Sequence, residues 1–313
     1  MLRSKFSAYL VRHRYLDSAE ARWKMAGMRT RAIAAEMGSV GLAMSLVLSG
    51  CGTASTSSSA ALTPTPSTSS PTASTTTPGT RALAQYWVAD TARGFRLYRE
   101  FVRLVVTPDA ITAALRALVS SRPKDPDYTS LWPVGTKINS VAVSGNGATI
   151  DLTLGKMNVG SEGEMLAIAQ LVWTATAADP SVTKVSLTVD GKKVESLAGH
   201  VDATKPFTRA PSYEVVAPVW ITSPVEGDQK SAQGFTLSGL ASTFEANVTW
   251  KVFQNGKLIK QGSTIASEAA PAWTPWSVAI SGLAPGEYQF AAMEYSAKDG
   301  SLVAQDTKNA TLK

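Results

Sequence analysis

The sequence predicts two folded domains of different class, an α+β domain over residues 81–212 and an all-β sandwich over residues 217–313, behind a leader and a linker that carry no core. Three observations predict this. Residues 52–80 are almost entirely Ser, Thr, Ala and Pro, a composition from which no core can be built. Between 83 and 210, strand-like alternation is interleaved with helical spacing. Beyond 217, helical spacing disappears and short strand-like runs are divided by turn signals. At 313 residues and 44% hydrophobic content, the chain can bury two cores.

The net charge of +6 suggests an anionic partner such as nucleic acid, but the charge is not spread evenly. Residues 1–50 hold eight Lys/Arg against three acidic residues, a net +5, and the remaining 22 basic and 21 acidic residues leave only +1. The later part lacks the concentrated field that phosphate recognition needs, so no nucleic-acid partner is expected. The single cysteine, Cys51, excludes an intramolecular disulfide and a Cys-based metal cluster. With only His13 and His200 in the chain, multi-histidine zinc sites are excluded as well.

The leader has a positive start at Arg29 and Arg31, a short apolar stretch from Met37 to Leu48, and small residues before Cys51. This is the layout of an export signal, and its apolar part is shorter than the roughly 20 residues of a spanning helix. Residues 1–50 are therefore read as a signal peptide, with the true start at Met25 or Met28 an open alternative. Leu48-Ser49-Gly50-Cys51 resembles the lipobox of bacterial lipoproteins. The resemblance implies lipidation of Cys51, cleavage before it, and a diacylglyceryl anchor on the extracytoplasmic face of the cell membrane. The linker, residues 51–80, would reach roughly 30 Å as flexible coil and up to about 90 Å if extended.

In the first folded region, Leu83–Val88 and Phe95–Val106 read as strands around a turn at Asp90–Gly94. Thr107 as N-cap with Pro108 at the first helical position predicts a helix whose buried face holds Ile111, Leu115, Leu118 and Val119. Residues 138–154 read as a hairpin turning at Gly145-Asn146-Gly147. Ser161 and Glu164 predict a capping box opening a second, amphipathic helix through Met165, Ile168, Ala169 and Val172. A strand over Val182–Val189 then runs into Asp190-Gly191, so that two helices lie against one sheet. In the second region, strands are expected at 219–221, 234–238, 247–254, 276–280, 288–295 and 303–312, with Val248, Trp250 and Val252 facing inward.

Pro133-Val134-Gly135-Thr136-Lys137-Ile138, Ala148–Leu152, Gln170-Leu171-Val172, Val185–Val189 before Asp190-Gly191-Lys192, and Pro206-Phe207-Thr208-Arg209 together resemble the GerMN domain of sporulation and spore-germination proteins. Ile221-Thr222-Ser223-Pro224, Gly239-Leu240-Ala241 with Phe244-Glu245-Ala246, and Glu294–Gly300 resemble the immunoglobulin-like domain that accompanies it. The order of the two matches that pairing. The resemblance implies an α+β module of envelope proteins, related to modules that pack side by side in ring-like assemblies; members built for that purpose carry two in tandem, and this chain shows one.

Catalytic constellations are weak. His200 lacks a Gly-x-Ser-x-Gly elbow and reads as a loop histidine. Asp151, Glu162, Glu164 and Asp179 would have to supply any acid/base pair for glycan hydrolysis, yet strand polarity, helix capping and a turn account for Asp151, Glu164 and Asp179 respectively. Trp273 and Trp276, around Pro275, form a candidate aromatic platform for wall sugars, with core packing or strand-edge covering as the competing reading. Glu245 is expected to satisfy a buried backbone donor. The function expected is a non-enzymatic lipoprotein, without cofactor, acting in assembly or ligand recognition in the envelope, with an envelope protein or wall polymer as partner. A wall-glycan binder is the first alternative and a wall hydrolase the second.

Overall fold

β1 (Thr80–Thr91) and β2 (Gly94–Val105) form a long antiparallel hairpin in the computed structural model, which describes residues 79–313. The signal peptide expected at 1–50, the expected lipidation site Cys51 and residues 52–78 lie outside the described residues. The helix α1 (Ala110–Ser120) buries Ile111, Leu115 and Leu118 as its spacing requires. It is capped by Asp109 rather than Thr107: one Asp109 carboxylate oxygen accepts from the Thr112 N–H at 2.8 Å and the other from the Thr112 hydroxyl at 2.7 Å. The carboxylate offers two acceptors to the first turn, whereas Thr107 lies two residues too early.

β3 (Lys137–Ser144), β4 (Gly147–Thr153), β5 (Lys184–Val189) and the short β6 (Lys192–Lys193) make a four-stranded sheet in that order, with β4 and β5 parallel. The helices therefore serve two sheets, not the one expected. The reason lies at Tyr86 on β1, where α2 (Ser161–Ala178) occupies the strand's free edge. The Gln170 amide donates to the Tyr86 carbonyl at 2.9 Å and the Tyr86 N–H donates to the Thr174 hydroxyl at 3.2 Å, leaving no edge for a further strand at that point.

α2 departs from expectation in two ways. Its N-cap is Gly160, with no side-chain cap bond, so the Ser161–Glu164 capping box does not form. It is also buried nearly all round: Leu166, Ala167, Leu171 and Ala175 join Ile168, Ala169 and Val172 in the core, and Met165 faces solvent. One side packs on α1 and β1; Val201, Phe207, Ala210 and Val215 cover the other. A helix covered on both sides needs no polar face.

The second domain comprises β7 (Val219–Ser223), β8 (Asp228–Lys230), β9 (Phe235–Ala241), β10 (Asn247–Gln254), β11 (Lys257–Ile265), β12 (Thr274–Ile280), β13 (Gly286–Tyr295) and β14 (Leu302–Leu312). They form a sandwich of a five-stranded sheet, β11-β10-β13-β14-β8, and a three-stranded sheet, β12-β9-β7. Val248, Trp250 and Val252 are buried with Leu237, Ile280 and Phe290. Gly239 marks the tightest contact: a Cβ there would lie 1.7 Å from the Trp220 carbonyl oxygen. β8 and β11 were not expected. β11 is an exposed edge strand with two lysines and no alternation to betray it, although the positive φ at both Asn255 and Gly256 makes the two-residue turn that pairs it with β10.

Within the described residues the two domains belong to one compact unit. α3 (Ser212–Val215), Val216, Ala217 and Trp220, at the start of the second domain, pack into the core of the first. The Ala217 N–H donates to the Leu97 carbonyl at 3.0 Å, stitching this connection to β2.

Candidate functional site

The joint between the domains is built around Lys308 on β14. Its ammonium is buried and donates to Asp125 at 2.6 Å, to Asp306 at 2.7 Å and to the Tyr128 hydroxyl at 2.7 Å. Tyr128 in turn donates to Asp306 at 2.6 Å, and the second Asp306 oxygen accepts the Ile221 N–H at 2.7 Å. The Tyr98 hydroxyl donates to the Gln305 carbonyl at 2.6 Å, its ring stacked on Tyr128 at 5.1 Å. The Thr307 hydroxyl donates to Asp127. Asp125, Asp127, Tyr128 and Tyr98 belong to the first domain; Ile221 and residues 305–308 belong to the second. Every ammonium proton has an acceptor, the condition under which a buried charge is tolerated.

One ammonium faces two carboxylates, so the cluster carries a net negative charge in a site closed to water. Burial pushes the Asp125 carboxyl up to about 6, against the pull of Lys308, with Asp306 adding to the rise. Burial works against the Lys308 charge, but Asp306 and Asp125 hold its pKa above the usual lysine range. Burial and the same two carboxylates raise the Tyr98 and Tyr128 hydroxyls, which remain protonated donors.

Beside this joint the two domains enclose a cleft of about 250 Å³. Arg93 and Arg96 come from the β1–β2 hairpin, Tyr213 from α3, Trp273 from the segment before β12 and Glu294 from β13. Tyr213 is 76% exposed, Trp273 half-buried and packed on Trp220 at 4.5 Å between ring centroids. Glu294 accepts the Phe244 N–H at 2.9 Å; burial raises its pKa, opposed by that hydrogen bond and by Arg93. The cleft thus offers an aromatic floor with cationic, anionic and hydroxyl groups at its mouth, the mixed lining of a small-ligand site between domains. A wider depression of about 840 Å³ follows the loop at 119–137, over Asp125 and Tyr128, which are already engaged in the joint.

The structure separates Trp273 from Trp276. Trp276 is only 2% exposed and donates its indole N–H to the Trp220 carbonyl at 3.3 Å, so it offers no face to a ligand. Alternation along β12 turns it into the sandwich while Trp273 stays at the cleft. Glu245 is exposed, with a φ of 53°, so the expected contact to a buried backbone donor does not form; the neighbouring Phe244 N–H, itself exposed, donates to Glu294.

Glu164 is not a cap but the centre of a loop. One of its oxygens accepts from the Ser196 hydroxyl and the Leu197 and Ala198 N–H groups, the other from the His200 and Val201 N–H groups, at 2.7–3.1 Å. Burial alone would raise its pKa, but donation from Ser196, Ala198, His200 and Leu197 holds it below the usual range. Asp151 is lowered by donation from Thr188, Asn139 and Gly191, and Asp179 by Ser181. None of these three is set up as a general acid. His200 is an exposed loop residue, as read from the sequence. Among the described residues no three His, Cys, Asp or Glu side chains group to hold a metal, and no helix is long and apolar enough to cross a membrane.

Residues 84–195 match the family described as sporulation and spore germination, and residues 218–301 match the immunoglobulin-like domain of bacterial spore germination. The chain is thus a GerMN-like domain followed by a germination-type immunoglobulin-like domain, the two folds and the order that the sequence resemblance implied. Neither family is described by a catalytic activity. No curated protein matches the chain. Among solved structures, it is similar to a putative lipoprotein from Clostridium perfringens, at 22% identity over 42% of this chain and 88% of that one, with a TM-score of 0.30. The tandem GerMN domains of the sporulation protein GerM from Bacillus subtilis match at 21% identity, covering 42% of this chain and 46% of that one, with a TM-score of 0.34. The first of those domains alone matches at 20% identity over 40% of this chain and 97% of that one, with a TM-score of 0.32.

Proposed function

We propose that this chain is a lipid-anchored, extracytoplasmic recognition or assembly module of the cell envelope, associated with sporulation or germination, and not an enzyme. The observation that carries the reading is the pair of germination-type domains clasped through Lys308, with a mixed aromatic and polar cleft between them. A buried ionic joint fixes the orientation of two surfaces, and a fixed composite surface suits recognition. Hydrogen-bond donors lower the pKa of Asp151, Glu164 and Asp179, which supports the non-catalytic part of the reading. Lys308 lies on β14 close to Lys313, so a tag is best placed away from the joint, in the exposed turn at Asp299-Gly300.

The test is crosslinking in intact cells followed by purification through that tag, with Cys51→Ala and Tyr213→Ala as controls. Enrichment of a defined envelope protein that needs both Cys51 and Tyr213 is the expected result. Release of muropeptides or reducing ends by the purified protein would overturn the reading. The half-buried Trp273 beside Tyr213 favours a second reading, a wall-glycan binder. Retention on purified wall polymer that Trp273→Ala abolishes, in a protein that still folds, would select it.

A further inference from the structure

The β1–β2 register pairs Tyr86 with Arg99, Ala84 with Phe101, Ala82 with Arg103 and Thr80 with Val105, so these side chains share one face of the hairpin. Phe101 and Val105 are 52% and 57% exposed, and Arg103 is exposed between them. The Arg99 guanidinium lies 4.7 Å from the Phe101 ring centre and 4.8 Å from that of Trp220, and its Nε is buried without a hydrogen-bond partner. Beyond Tyr86, the Arg209 guanidinium lies 4.4 Å from the Trp173 ring. Among the described residues no carboxylate forms an ion pair with Arg99, Arg103 or Arg209. Burial lowers the Arg209 pKa and the nearby Arg99 charge adds to that, against an opposing effect of Tyr86.

Arg99 and Arg103 are two cations on this face with no acid paired to either, and they favour an anionic partner, while Arg209 stands beside them but is held by the Thr176 hydroxyl at 2.7 Å and the Trp173 carbonyl at 3.4 Å. Arg99 to Val105 covers about 20 Å of strand at roughly 3.3 Å per residue, a strip rather than a pocket. Phe101 and Val105 project between and beyond the arginines, an alternation that suits an interface in which apolar groups enter the acyl boundary and guanidinium groups stay at phosphate level. The strip also runs toward Thr80, where the described chain ends and continues back toward Cys51, 29 residues away in sequence.

We propose that the Arg99–Val105 strip docks the folded unit onto the anionic phosphate surface of the membrane. The biological setting rests on the lipid anchor at Cys51, which would hold the unit at an effective concentration where even weak docking is populated. Surface attraction of this kind scales with the number of cations and weakens with salt.

The experiment uses the chain from residue 52 onward, which contains the whole folded unit and lacks both the basic leader and the anchor. Sedimentation is compared with vesicles of phosphatidylcholine alone and vesicles containing one-third phosphatidylglycerol. The expected result is roughly thirtyfold stronger partitioning onto the anionic vesicles, given the two arginines of the strip at a charged surface. Phe101→Ser with Arg103→Gln, two exposed positions, should remove most of it without changing the melting temperature. Equal partitioning onto both vesicles, or an unaffected double variant, would overturn the proposal. Displacement by millimolar inorganic phosphate would also overturn it, because it would assign a discrete anion site instead. Because the anchor is absent from this assay, its failure is separate from failure of the anchor reading, which the Cys51→Ala control in cells reports.

Discussion

Replacing Lys308 by Met removes the one cation of the joint and keeps most of the side-chain volume. Asp125, Asp306 and the Tyr128 hydroxyl would then face one another in a site where the Lys308 and Asp306 side chains are at most 4% exposed. Breaking a buried pair by removing one partner destabilises by about 3–5 kcal/mol. For a unit of this size each kcal/mol lowers the melting temperature by roughly 2–4 °C, so the expected fall is roughly 6–20 °C. The pH dependence gives a sharper test. In the folded protein the Asp125 pKa is raised to about 6 from an ordinary 3.8, so its protonated form is favoured by folding. Such a group contributes stability that is fully present below its unfolded pKa and is lost as pH rises through the folded value, at most about 3 kcal/mol for a shift of that size. Without Lys308 the opposing pull on Asp125 vanishes and its pKa rises further. The variant should therefore recover toward wild type as pH falls from 8 to 5. Urea unfolding followed by tryptophan fluorescence at both pH values measures it. A loss below about 1 kcal/mol at pH 8, or a gap that stays constant between the two, would refute the assignment of Lys308 as the charged centre of the joint.

Glu164→Gln keeps one carbonyl acceptor but turns an amide NH₂ toward backbone donors, and should cost about 2–3 kcal/mol at neutral pH and open the loop at 196–201 to limited proteolysis. Because the Glu164 pKa is lowered on folding, its contribution is present above the ordinary 4.5 and is lost as pH falls through the folded value, so the difference from wild type should shrink in acid denaturation series carried below about pH 4. Gly239→Ala places a methyl group against the Trp220 carbonyl and should lower stability by at least about 2 kcal/mol in thermal melts; an unchanged melt would mean that β7 and β9 can move apart freely. Trp276→Ala should cost about 3–5 kcal/mol and Trp273→Ala distinctly less, measured by chemical denaturation, since only the first empties the sandwich core.

What the sequence disclosed was what apolar burial builds. Ile150 and Leu152 on β4, Val248 to Val252 on β10, and Ile111, Leu115 and Leu118 on α1 all follow a single buried face, and all are buried in the fold. α2 misled because its second face is covered by residues 201–215, a contact between elements that no local periodicity records. β11 was hidden for the opposite reason: an exposed edge strand has no buried face to announce it, and only its Asn255-Gly256 turn implied a partner for β10.

The joint was illegible for a different cause. Lys308 and Asp125 are 183 residues apart, and Tyr98 reaches Gln305 across 207. Asp306-Thr307-Lys308 reads as the solvated part of a strand, whereas all three are buried, because β14 lies between β13 and β8 while its residues also meet the first domain. The one local hint was an aspartate and a lysine two positions apart, on the same face of a strand deep inside a sheet. A hydrophobic joint could tolerate sliding between many similar contacts. A three-acceptor ammonium cannot, since a shift that breaks one hydrogen bond leaves a buried charge short of a partner. The relative placement of the cleft walls, Arg93 and Tyr213 against Trp273 and Glu294, therefore depends on residues outside the cleft, and under the proposed recognition role the Lys308→Met variant should lose the Tyr213-dependent crosslink even where both domains remain folded.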